Sequence, residues 1–216
     1  MSGEAGAEKR DELLLLSERF TRAVDYARTL HIERRKGTEI PYMAHLLGVA
    51  SLVMGESGRV GFPVTEDMVI AALLHDAVED HGGAPRLKDI EFNFGSTVAR
   101  MVEGLSDTLA EDPCNKERWE ERKKKYLDRL RDEPRDVQLI SAADKLYNAQ
   151  SILTDYRRIG GEIWKRFKRG RDEQLWYFNE LLKIFKKSSG NEIVDELERV
   201  VRELDRVSAK DSGATG

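Results

Sequence analysis

Residues 71–83 read AALLHDAVEDHGG, an apolar run that delivers His75 and Asp76 side by side, with Glu79 and Asp80 one turn later. On a helix Asp76 and Asp80 stand four apart, as do His75 and Glu79, so these polar groups share one broad face. The lead-in of Ala71, Ala72, Leu73 and Leu74 marks that helix as buried. Burying an imidazole and three carboxylates is costly unless a cation neutralises them. A divalent metal ion is the simplest such cation. Two more polar groups in apolar helical surroundings, His45 and Asp144, are available to complete its ligand set. Two imidazole nitrogens with two carboxylate oxygens suit Mn, Fe or Zn better than Ca or Mg. On a six-coordinate ion they leave positions for water and a substrate oxygen, as a catalytic centre requires. Each residue taken alone has a plainer reading: a single His on an apolar helix is usually a hydrogen-bonded core residue, and Asp144 could pair with Lys145.

Three separate helices would have to bring these groups together. Helical periodicity runs through the chain, with no convincing alternating strand pattern, so an all-α fold is expected. Leu13, Leu16, Phe20, Val24 and Ala27 form one stripe of a first helix ending near His31. Pro41 sits where a helix can begin, and 42–54 reads as a second helix that carries His45. Thr65 is the expected N-cap of a third, continuous over 66–80, with Gly82, Gly83 and Pro85 ending it. Helices at 87–94 and 96–109, a turn at Asp112-Pro113 and a highly charged helix over 116–132 follow. The stretch 135–156 is largely apolar and holds Asp144, Tyr147 and Asn148; a last helix spans 191–207.

The 216 residues suffice for one sizeable core, and no repeat or composition shift marks a second domain. Lysines and arginines number 36 against 40 acids, a net charge of −4 that gives no general pull toward nucleic acid or membrane. A lone cysteine, Cys114, excludes an internal disulfide and suits a reducing cytosol. The longest apolar run near the N-terminus, residues 13–16, is too short for a signal core or a membrane span, so a cytoplasmic protein is expected.

The wording around the polar groups resembles a known family. His45, the adjacent His75-Asp76 and then Asp144 are similar to the ordered ligand set of the HD-domain metal-dependent phosphohydrolases. Arg35-Lys36 before Pro41-Tyr42, the run HDAVED at 75–80 and ADKLYN at 143–148 narrow the resemblance to the hydrolase domain of the RelA/SpoT family, over residues 11–155. Within that family the chain resembles the small stand-alone alarmone hydrolases. The resemblance implies an HD-type helical bundle and Mn2+-dependent removal of pyrophosphate from the 3′ position of ppGpp or pppGpp, with other divalent transition metals as alternatives. It also implies metal ligation by His45, His75, Asp76 and Asp144, and action of Glu79 and Asp80 on the attacking water. A carboxylate beside water acidified by a metal can take its proton or aim it at phosphorus. Arg35 and Lys36 would face the phosphates, and Tyr147 and Asn148 would line the nucleoside side.

Three departures from the family pattern bear on the substrate. Residues 140–144 read ISAAD where Val-Lys-Leu-Ala-Asp is usual, Gln150 stands where an Arg is usual, and His81 follows the Glu-Asp pair in place of Thr. The first two remove positive charge that could meet a phosphate. His31 could flank the pocket, and His81 could move protons or simply lie at the surface. The run Arg122 to Lys125 could add phosphate contacts, although such runs are usually solvated. Beyond the resemblance, Arg166, Arg169 and Arg171 interleave with Trp164, Phe167, Trp176 and Tyr177; at helical spacing this reads as core packing rather than nucleic-acid binding.

The expected organisation is therefore frayed ends at 1–8 and 208–216, an HD domain with a helical extension over 9–187, and a C-terminal helix over 188–207. The expected activity is hydrolysis of ppGpp. The alternatives are hydrolysis of another small nucleotide, such as a nucleoside phosphate or a phosphorylated nicotinamide cofactor, and a non-catalytic HD-fold module that binds nucleotide. The apolar side of the last helix could dock on its own domain or on a second copy, which leaves a homo-oligomer open.

Overall fold

Three helices begin on the residue types that satisfy their orphan N–H groups. The Ser17 hydroxyl accepts from Arg19 N at 3.1 Å at the start of α1 (Glu18–Leu30). Thr65 accepts from Met68 N at 3.3 Å to open α3 (Glu66–Leu74), and Asn191 accepts from Val194 N at 3.0 Å to open α10 (Glu192–Ser208). Between them lie α2 (Met43–Gly55), α4 (Ala77–Asp80), α5 (Gly83–Phe94), α6 (Ser96–Leu105), α7 (Trp119–Leu130), α8 (Arg135–Ile159), a 3-10 turn (Gly160–Arg166) and α9 (Arg171–Ser188). This computed structural model describes residues 13–111, 117–167, 169–188 and 191–210, and among them the extended pairing is a single isolated bridge, Arg34 with Pro41. The expectations for residues 1–8, Cys114 and the 112–113 turn lie outside the described residues.

The fold is all-α and is built round α3. Every residue from Met68 to Leu74 is buried, because a helix apolar on all sides has to be surrounded. It is enclosed by α1, α2, α6 and α8. The long α8, buried from Val137 to Asp144, touches α2, α3, α6, α9 and α10. Helices α2 and α8 approach closely because Gly48 has no side chain: a Cβ there would lie 2.0 Å from Cε2 of Tyr147. The apolar stripe of α10, Ile193, Leu197, Val200, Val201 and Leu204, is buried against α8 and α9 of its own chain.

Several boundaries differ from the sequence expectation. Leu13 and Leu15 are exposed and precede α1, which starts only at the Ser17 cap. Pro85 lies in the first turn of α5 instead of ending α3, a position where its missing N–H is no loss. The helix expected over 96–109 stops at Leu105, where Ser106 turns extended. Ser208, expected to begin a fraying tail, is the buried last residue of α10, held by its hydroxyl donating to Leu204 O at 2.6 Å.

The expected continuous helix over 66–80 is also interrupted. It lapses into a turn at His75-Asp76 before α4 resumes. The cause is local: His75 Nδ1 donates to Ala72 O at 2.7 Å, the carbonyl that an unbroken α-helix would pair with the Asp76 N–H. The polypeptide then leaves α4 through Gly82, whose φ of +112° is open to glycine at little cost.

Candidate metal centre and substrate cavity

The break at His75 sets the chemistry of its ring. A backbone carbonyl can only accept, so in the neutral imidazole the proton sits on Nδ1 and the Nε2 lone pair is free to face the interior. From α2, His45 brings its own Nε2 to 3.2 Å from His75 Nε2. Oδ2 of Asp76 lies 3.1 Å from His75 Nε2 and 3.3 Å from His45 Nε2. From α8, Oδ1 of Asp144 lies 3.3 Å from His45 Nε2 and 3.6 Å from His75 Nε2. Three elements thus gather His45, His75 and Asp76 into one group of ligand atoms, with Asp144 reaching both imidazoles from α8.

The donor set fits a divalent ion. Bonds of about 2.1 Å place neighbouring ligand atoms about 3.0–3.4 Å apart, close to the separations found here. Two neutral imidazoles and two carboxylates carry a charge of two minus in a buried place; Lys145 beside Asp144 balances part of it, and a cation among the four donors balances the rest. The electrostatics make the same demand. Burial pulls the His75 imidazole down, yet Asp76 and Asp144 lift it well above its ordinary pKa. Burial likewise opposes charge on Asp144, but Lys145, then His45 and His75, hold its carboxyl well below the usual range.

Further contacts fix the ligand atoms. The Tyr42 hydroxyl donates to Oδ2 of Asp76 at 2.7 Å; burial, then the charges of Asp76 and Asp80, push that phenol's pKa upward. Asn148 Nδ2 donates to Oδ1 of Asp144 at 2.6 Å and its own Oδ1 accepts from Arg35 at 2.6 Å. Lys145 pairs with the other Asp144 oxygen.

Beside the cluster, His75, Asp76, Asp144 and Glu79 line a small recess of about 20 Å³ with Lys123 and Lys145. Glu79 Oε1 lies 3.3 Å from Arg122, whereas Asp80 is exposed at the end of α4. Lys123, Lys145 and Tyr177 also line a cavity of about 280 Å³ with Arg35, Asn148, Trp119 and Phe167. Arg35 and Phe167 are shared again with a cavity of about 230 Å³ that holds Lys36, Tyr147 and Arg166. Nine of the ten expected site residues thus gather at the cluster, the recess and these two cavities, whereas Asp80 lines none of the three.

Sequence reasoning missed several of these walls. Lys123 is not part of a solvated face: it bonds buried Asp107 at 2.8 Å and looks into the recess, while Lys124 and Lys125 are exposed. The run of four cations gave no sign that Arg122 and Lys123 turn inward while the next two stay in solvent. Tyr177, Phe167 and Arg166 lie in the segment read as plain packing, and they do pack, but they also line cavities. His31 is buried, stacked on Tyr42 with ring centroids 5.0 Å apart, and His81 is half-buried beside it.

The chain belongs to the HD domain family: residues 23–174, the span that carries all four ligand candidates, match it. Among curated proteins it is 34% identical over 149 residues to the human guanosine-3′,5′-bis(diphosphate) 3′-pyrophosphohydrolase MESH1, which spans 68% of this chain and 74% of that one. The Xenopus tropicalis MESH1 is 35% identical over 145 residues, 66% of this chain and 72% of its own. An Aquifex aeolicus enzyme of the same name is 33% identical over 155 residues, 69% of this chain and 21% of that longer protein. Among solved structures, a metazoan SpoT ortholog that hydrolyses ppGpp matches with a TM-score of 0.67 at 24% identity, covering 88% of this chain and 97% of that one, which shows a shared fold. A Listeria monocytogenes protein matches with a TM-score of 0.62 at 31% identity, over 75% and 99% of the two chains. Among the described residues no helix is long and apolar enough to cross a membrane.

Proposed function

We propose that this chain is a metal-dependent phosphohydrolase that releases pyrophosphate from the 3′ position of ppGpp or pppGpp. Its relatives named above carry that activity in their names. The observation that supports the substrate is the placement of cations around aromatic walls. Lys123 and Lys145 stand next to the His45–His75–Asp76–Asp144 cluster, and Arg35, Lys36 and Arg166 stand around the further cavity. Trp119, Phe167 and Tyr177 lie between them. A nucleoside phosphorylated at two ends has that pattern of charge and flat apolar surface.

In this reading His45, His75, Asp76 and Asp144 hold a divalent ion, with Mn2+ the expected one. When bound, it acidifies water and neutralises phosphoryl charge. Glu79, facing the same recess, takes the proton of the attacking water, and Asp80, next along α4, helps to orient it. Lys123 and Lys145 stabilise the charge that builds on the phosphoryl oxygens of the 3′-diphosphate as water adds. Water adds at the phosphorus attached to the 3′ oxygen and that P–O bond breaks; the 3′ oxygen takes a proton from solvent, and Glu79 returns to solvent the proton it took from the attacking water. Arg35 and Lys36 bind the phosphates at the other end, and Tyr147 and Asn148 shape the nucleoside side. Arg35 also bonds Asn148, which couples substrate binding to the ligand Asp144.

The test is a panel of nucleotides incubated with the Mn2+-loaded protein and resolved by product. Pyrophosphate released from ppGpp and pppGpp, with nucleoside phosphates and phosphorylated nicotinamide cofactors left intact, supports the reading. Turnover confined to one of the latter, or binding of nucleotide with no product, overturns it.

A further inference from the structure

A second group of metal-ligating side chains lies outside this centre. His31, at the C-terminal end of α1, Glu33 in the following loop and His81, just past α4, meet at three atoms. His31 Nδ1 is 2.9 Å from Glu33 Oε1, His81 Nε2 is 3.2 Å from His31 Nδ1, and His81 Nε2 is 3.4 Å from Glu33 Oε1. Hydrogen bonding accounts for at most two edges of this triangle. An imidazole nitrogen has one in-plane position, filled by a proton or by a lone pair, so His31 Nδ1 cannot both donate to Glu33 and accept from His81. In every protonation state at least one edge is left without a hydrogen bond. A cation in front of the three atoms takes all three lone pairs at once.

We propose that His31 Nδ1, Glu33 Oε1 and His81 Nε2 form a second divalent-metal site, distinct from the His45–His75–Asp76–Asp144 centre. Ligand bonds of about 2.1 Å require neighbouring donors about 3.0–3.4 Å apart, and the three edges span that range. Two imidazoles and one carboxylate form a more nitrogen-rich set than two and two, which favours Zn2+ or Co2+. The His31 ring is held by its stack on Tyr42, and burial draws its pKa below the ordinary value, which keeps it in the neutral form that ligates. Glu33 and His81 are partly exposed, so the ion has an entry path and open positions for water. An ion here would tie the loop that carries Arg35 and Lys36 to the end of the helix that carries Glu79 and Asp80.

The test counts metal in chelator-stripped protein reloaded with Co2+, by elemental analysis and by visible d–d absorption. The wild type should bind two equivalents. Glu33→Gln and His81→Asn should each bind one, with the second affinity weakened at least about 100-fold. His81→Cys, which restores a ligand atom, should recover the second equivalent. Asp144→Ala should keep the equivalent that Glu33→Gln loses. Melting curves in chelator verify that each variant is folded. A second equivalent retained by folded Glu33→Gln or His81→Asn, or a wild type whose bound Co2+ is all lost in folded Asp144→Ala, overturns the proposal. Neither result bears on whether ppGpp is the substrate.

Discussion

Asn148 Nδ2 donates to Oδ1 of Asp144 at 2.6 Å, one turn away on α8, and that same oxygen faces both His45 and His75. An amide fixed in this way aims the carboxylate at the imidazoles and withholds the alternative rotamer. Removing it leaves the ligand in place but free to turn. Asn148→Ala is expected to weaken metal binding about 10–100-fold without unfolding the protein. Isothermal titration with Mn2+ measures this, and unchanged affinity would show that Asp144 needs no such guide.

Lys123 turns out of a charged run into the recess beside the cluster. A charge-assisted bond to a phosphate is worth about 1.5–3 kcal/mol. Lys123→Met should therefore lower kcat/KM for ppGpp by about 10–100-fold, whereas Lys124→Met on the exposed face should change little. Steady-state kinetics on the two variants separates a phosphate ligand from a solvated lysine.

The close crossing of α2 and α8 rests on Gly48. A methyl group there would meet the Tyr147 ring at 2.0 Å, so the ring or the helices must shift. Gly48→Ala should cost about 1–3 kcal/mol in urea unfolding. Trimming the ring as well, in Gly48→Ala with Tyr147→Ala, should cost less than the sum of the two single changes. Strict additivity would mean that the two residues do not press on each other.

Asp107 gives the protein an acid limit. Its burial would raise the carboxyl pKa, but Lys123 and Arg122 bring it below the ordinary value. Between the two values the unfolded chain binds more protons than the folded one. The stability from this group is thus complete above the usual carboxylate range, about pH 4, and is lost as the pH falls through the lower folded value. Asp107→Asn should lose about 3 kcal/mol at pH 7 and show a flatter decline toward pH 3. Denaturation at several pH values reads this directly; an acid limb as steep as that of the wild type would assign the effect to another group.

How much was legible in the chain depends on the range of the signal. The all-α class and most helices follow from periodicity and local caps such as Thr65 and Asn191, because those interactions join residues three or four apart. His45, His75, Asp76 and Asp144 stood out because each interrupts an apolar helix, where a polar group needs a reason. The lapse at His75 was hidden, since nothing in the spacing says that the ring will claim Ala72 O. Lys123 was hidden because its inward turn depends on Asp107, sixteen residues earlier in the chain. The meeting of His31 and Glu33 with His81 is set by how α1 lies beside α4, which no local pattern encodes.

The proposed activity requires a divalent ion held by four side chains from three elements and acting on a 3′-diphosphate. Release of pyrophosphate from ppGpp by the Mn2+-loaded wild type, measured beside Asp144→Ala under the same conditions, tests this most directly. Steady release by the wild type is expected, with a rate lower by roughly a thousandfold in the variant, on the order of 4 kcal/mol of lost charge stabilisation. Equal rates from the two folded proteins, or no pyrophosphate from the wild type at saturating Mn2+, would contradict it.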